Sequence, residues 1–161
     1  MTSQHIVLVA IASAFCILVP PGAWADSHPM TGGHVMAVPN DLKWTDVPSL
    51  PPGAKIAVIQ GPLNEAVPFT FRLKVPAGYK IPVHTHPAIE HVTVLSGTLH
   101  FAGGDKFDEK KAKPLPPGSV AIMPVGSPMY GWTTDEAIIQ VHGVGPWGIT
   151  YLNPADDPRK K

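Results

Sequence analysis

His84 and His86 stand one residue apart in the extended-looking run Lys80-Ile-Pro-Val-His-Thr-His86. Alternate residues of a strand point to the same face, so the two imidazoles share a side. Glu90 follows four residues later, beyond the Pro87-Ala88-Ile89 bend, where a carboxylate can turn back toward them. Two imidazoles and a carboxylate are borderline and hard donors, a set that suits a divalent first-row metal. Held on one face of an ion, they leave coordination positions for a substrate or for dioxygen.

Two strand-like runs offer further polar groups. In Pro68–Val75, Phe69, Phe71, Leu73 and Val75 take one face, with Thr70, Arg72 and Lys74 opposite. In Ala137–Val144, Ile139 and Val141 share a face, while Gln140 and His142 share the other. Arg72 and His142 are candidates to line a lumen, the first fixing a substrate carboxylate, the second acting as a replacement ligand. A solvated outer face for Arg72 and a core histidine bonded to backbone for His142 are the plainer alternatives. His91 has opposite parity to Glu90 and is expected to face away from it. Tyr130 and Trp132 are read either as walls of a pocket mouth or as core.

These groups need strands to carry them. With 20 prolines and 15 glycines in 161 residues, the chain is poorly suited to long helices and well suited to short strands joined by turns. Eight runs read as strands: 55–60, 68–75, 80–84, 91–96, 98–102, 119–124, 137–144 and 147–152. That spacing predicts an all-β barrel or jelly roll of one domain. Asp105–Lys113 reads as a loop with one helical turn. Twelve basic and twelve acidic side chains cancel, without the electrostatic footprint of a nucleic-acid binder.

The first 25 residues contain no Lys, Arg, Asp or Glu, and Ile6–Val19 is apolar. That length matches a signal-peptide core better than a membrane span. The breakers Pro20, Pro21 and Gly22 and the small residues Ala23 and Ala25 then predict cleavage after Ala25. The alternative is an uncleaved N-terminal anchor. Cleavage leaves an arm over 26–54, a barrel over 55–152 and a tail over 153–161, in the periplasm or outside the cell, with no membrane span. The only cysteine, Cys16, leaves with the signal peptide, so disulfides and cysteine-based sites are excluded from the mature chain. The new terminus Asp26-Ser27-His28 presents an α-amine, two amides and an imidazole, a square-planar set suited to Cu(II) or Ni(II).

The segment around the histidines resembles the first sequence motif of the cupin superfamily at every fixed position: Gly78, His84, His86, Glu90 and Gly97. A second motif follows in Gly118 and Pro124-x-Gly126, but Met129 stands where that motif has a third histidine ligand, and Thr133 where it has asparagine. More narrowly, the chain looks like small exported bacterial single-domain cupins with a tail such as Gln140-Val-His-Gly-x-Gly-Pro-Trp147-Gly-Ile-Thr-Tyr. The resemblance implies a cupin-type jelly-roll barrel, a homodimer, and a metal at His84, His86 and Glu90 drawn from Fe, Mn, Cu, Zn or Ni. Met129 is then a soft thioether ligand favouring copper, or a space-filler beside a three-ligand site completed by water, or the mark of a barrel without metal. The function implied is a metal-dependent, dioxygenase-like or isomerase-type enzyme acting on a small organic substrate, with Glu90 as proton acceptor and Arg72 or His142 as substrate contacts. The alternatives are a non-catalytic metal or small-ligand binder and a metal-free structural protein.

Overall fold

The structure, a computed structural model, describes residues 33–161. The expected leader, Cys16 and the Asp26-Ser27-His28 terminus lie outside the described residues. Eleven strands form in these residues: β1 Thr45–Asp46, β2 Lys55–Gln60, β3 Pro68–Val75, β4 Lys80–Thr85, β5 Glu90–Ser96, β6 Leu99–Gly103, β7 Lys113–Leu115, β8 Val120–Met123, β9 Met129–Thr133, β10 Ala137–Val144 and β11 Thr150–Tyr151. The only helical pieces among them are three-residue 3-10 turns, one of them Glu109–Lys111 in the expected loop. Among the described residues no helix is long and apolar enough to cross a membrane.

The strands pair antiparallel into two sheets, ordered β1-β2-β3-β10-β5-β8 and β11-β4-β9-β6-β7. This is the all-β jelly-roll arrangement expected from the sequence. The alternation in β3 is realised in full, with Phe69, Phe71, Leu73 and Val75 buried and Thr70, Arg72 and Lys74 half-buried on the other side. Their apolar face packs with Val92 and Val94 of β5, Leu99 of β6 and Ile139 and Val141 of β10 into one core cluster. The segment before β2 closes against this core through Val47 and Leu50. Tyr151 Oη donates to Ser49 O at 2.7 Å and Tyr79 Oη donates to Pro51 O, so two barrel tyrosines hold that segment in place.

Three expected strands, 55–60, 68–75 and 137–144, match β2, β3 and β10 at both ends. Strands β7 and β9 fall where turns were expected. In β9 a Cβ on the mid-strand Gly131 would stand 3.1 Å from His100 O and 3.3 Å from a Leu99 methyl. Glycine there permits close approach of β6 rather than a turn. The expected strand 147–152 shrinks to Thr150–Tyr151, because the backbone of 147 and 148 is used elsewhere. Trp147 N–H donates to Leu63 O at 2.6 Å and Gly148 O receives a side chain.

Gly78 and Gly97 both occupy the left-handed region, with φ of 70° and 69°. Their surroundings differ. A Cβ at Gly78 meets nothing within 4 Å, whereas one at Gly97 would lie 2.3 Å from Glu136 O and 2.8 Å from Ala137 Cα. Gly78→Ala is therefore expected to cost about 1 kcal/mol, the conformational term alone. Gly97→Ala adds a backbone collision and should cost roughly 2–4 kcal/mol. Urea titrations of the two variants check the ordering, and equal losses would contradict it.

Candidate metal centre

The ladder between β4 and β9 shifts register between Ile81 and His84. Pro82, which has no N–H to give a neighbouring strand, sits in that irregularity, as proline within a sheet must. The shift lets Ile81 and His84, which have opposite parity, both line the barrel cavity. The Pro82 carbonyl freed there accepts from His84 Nδ1 at 2.7 Å. His86 lies just past the end of β4, its carbonyl held by Gly126 N–H at 2.9 Å, which is how the turn of the second motif supports the first. His86 Nδ1 donates to Gly148 O at 2.5 Å. Both imidazoles are thereby fixed as the Nδ1–H tautomer, leaving Nε2 as the lone-pair atom. A backbone carbonyl behind a histidine is a common support for a metal ligand.

Glu90 opens β5 with its side chain inward and only 5% exposed. Its Oε1 accepts from Trp147 Nε1 at 3.2 Å, and its Oε2 lies 3.5 Å from His86 Nε2. The Trp147 ring stacks on His86 at 5.2 Å and 21°, and meets Phe71 edge-on at 4.7 Å. The His84 and His86 rings are 4.8 Å apart at 79°. Sequence reasoning placed Trp147 only in a strand. Its role depends on a chain reversal 57 residues from Glu90, and nothing local to either segment signals it.

The three polar groups end one side of a cavity of about 30 Å³ that is otherwise apolar, with Leu50, Leu73, Val92, Phe101, Ile139 and Val141 among its walls. No Lys or Arg is among the residues lining it. Burial pushes the His84 imidazole down to about 4, and the neighbouring His86 adds to the effect. Burial likewise pushes the Glu90 carboxyl up, opposed by His86 and by the Trp147 hydrogen bond. No Lys or Arg lines the cavity to balance the buried carboxylate, and a divalent cation would do so. Donor types and tautomers therefore fit a metal. The placement is not a closed coordination sphere: no group of three His, Cys, Asp or Glu among the described residues converges tightly enough to hold an ion.

Met129 is buried and lies opposite His84 in the β4–β9 ladder, but it is not among the residues lining the cavity. Arg72 and His142 do not reach the lumen. In β10 it is Ile139 and Val141 that face the cavity, so Gln140 and His142 point to the opposite side of the sheet. Arg72 is on that same outer side, its Nε donating to Gln140 Oε1 at 3.2 Å. His142 stacks on its cross-strand partner His91 at 4.8 Å, and Nδ1 of each is buried with no hydrogen-bond partner. His91 faces away from Glu90, as parity predicts. Tyr130 and Trp132 also point outward from β9: the Tyr130 hydroxyl donates to Asp108 O at 3.0 Å, and Trp132 stacks on His100 at 3.7 Å.

The depressed His84 gives the metal-free protein a pH signature. Between 6.5 and about 4 the unfolded chain binds a proton that folded His84 refuses, so this residue's contribution is full above 6.5 and is lost as pH falls through that window. The stability difference between chelator-treated wild type and His84→Asn should grow from about pH 4 to 6.5 and then level off. A difference constant with pH in thermal melts would contradict this.

No protein-family model and no curated protein matches the chain. Solved structures do. The polyketide cyclase RemF from Streptomyces resistomycificus aligns over 81% of this chain and 91% of its own, with a TM-score of 0.59 at 17% identity. An RmlC-like cupin from Shewanella frigidimarina NCIMB 400 aligns over 70% and 91%, with a TM-score of 0.56 at 13% identity. The DMSP lyase DddQ from Ruegeria pomeroyi DSS-3 aligns over 71% and 63%, with a TM-score of 0.58 at 20% identity. At such identities the likeness establishes the fold.

Proposed function

We propose that this chain, which has the cupin fold, is an exported and dimeric metal protein whose barrel binds one divalent first-row ion through His84, His86 and Glu90. We further propose that it acts on a small organic substrate in dioxygenase-like chemistry. The observation that carries the reading is the pair of backbone carbonyls, Pro82 O and Gly148 O, that fix both imidazoles with Nε2 free beside a buried carboxylate. RemF is called a cyclase and DddQ a lyase, so this fold does host enzymes of small organic molecules, while the choice of reaction belongs to the site.

When bound, such an ion supplies Lewis acidity toward a substrate oxygen and, if redox-active, a route to dioxygen. The histidines hold it by Nε2. Glu90 gives it a negative donor and, through an oxygen not committed to the ion, a place for a substrate proton. The apolar walls exclude water, and with no Lys or Arg lining the cavity there is no partner for a distal carboxylate or phosphate. The substrate class this favours is neutral, compact and apolar beyond the group that meets the metal. Arg72 and His142, on the outer side of the sheet, have no part in it.

One observation favours metal capture without turnover. A cavity of about 30 Å³ has room for one or two waters and for no organic substrate unless its walls move. Metal analysis with oxygen-uptake assays on catechols, flavonols and keto acids divides the readings. One metal ion per chain is expected in wild type, Arg72→Ala and His142→Ala, and its loss in His84→Ala and His86→Ala. Oxygen uptake with any substrate in the loaded wild type supports an enzyme. Metal retained in both histidine variants would overturn the site.

A further inference from the structure

Trp147 and Gly148 together support two of the three donors: Gly148 O holds His86 Nδ1 and the Trp147 indole holds Glu90 Oε1. The indole is fixed on three sides. Its backbone N–H is tied to Leu63 O at 2.6 Å, its face lies on His86, and Phe71 meets it edge-on. An indole nitrogen is a donor only, so the contact with Glu90 has one polarity. The other oxygen, Oε2, is the one turned to His86 Nε2.

We infer that Trp147 is the positioning residue of this centre, engaging Oε1 so that Glu90 offers a metal the single oxygen Oε2. The inference rests on the metal-binding reading above. Its consequence is a coordination count. A carboxylate free at both oxygens can take two positions on an ion, whereas one with an oxygen engaged by an N–H takes one and leaves the other to an exogenous ligand. Residues that orient ligands in this way typically alter metal affinity 10–100-fold when removed.

The test uses the full mature protein loaded with Co(II). Compared are wild type, Trp147→Phe, and a protein with benzothienylalanine at 147, which keeps the bicyclic shape and removes only the N–H. The readouts are Co(II) affinity by chelator competition and the metal-loaded minus metal-free infrared difference spectrum, its carboxylate bands assigned by their loss in Glu90→Gln. Both replacements are expected to weaken Co(II) binding about 10–100-fold and to narrow the splitting between the antisymmetric and symmetric carboxylate stretches as Glu90 becomes bidentate. The benzothienyl protein should melt where wild type does, separating this effect from misfolding. Unchanged affinity and splitting in the benzothienyl protein, with Co(II) binding still abolished by His84→Ala, would overturn the role of Trp147 and leave the metal site standing. Co(II) binding indifferent to His84→Ala would remove the metal reading and this role with it.

Discussion

A carboxylate buried in an apolar barrel with no Lys or Arg beside it is the constraint around which the rest of this structure is arranged. Glu90 is 5% exposed, and its only neighbours of compensating character are one indole N–H and one imidazole. Leaving such a group charged and unpaired costs several kcal/mol even after relaxation. A fold that retains it does so with a proton, a shared hydrogen bond or a cation in place. On the proposed metal-binding reading the last of these applies, with each histidine giving its Nδ1 to a backbone carbonyl.

Each local departure from regular sheet serves that arrangement. The register shift in β4 brings His84 onto the cavity face beside Ile81 and releases the Pro82 carbonyl to orient it. The turn at Gly126 ties down the His86 backbone. The segment between β10 and β11 forgoes ladder pairing, and its groups go to Leu63, His86 and Glu90 instead. At the end closed by Leu50, Tyr79 and Tyr151 lock the preceding segment by their hydroxyls. Burial pushes both phenols above their ordinary range, Tyr151 to about 12, so they remain donors at any working pH.

The sequence was legible where the information is local. Strict alternation in Pro68–Val75 and Ala137–Val144 gave those strands their ends and sorted their faces, and the spacing of His84, His86 and Glu90 gave the polar cluster. Alternation separates two faces but does not say which is inside, and that is why Arg72 and His142 were drawn toward the lumen when they belong to the outer side. Strand β9 carries Gly131 where close approach to β6 leaves no room for a Cβ, a requirement set by the neighbouring strand and not by local pattern. Trp147 was beyond reach, since its meaning comes from a contact with a residue 57 positions away.

The proposed site holds an ion by nitrogen and oxygen only, from His84, His86, Glu90 and exogenous ligands, and without Met129, which is buried but does not line the cavity. X-ray absorption at the metal edge of the metal-loaded protein is the sharpest test of that site. Such a site gives a shell of nitrogen and oxygen near 2.0–2.2 Å with the multiple scattering of two imidazoles. A sulfur scatterer at about 2.3 Å, or the absence of imidazole scattering, would contradict it.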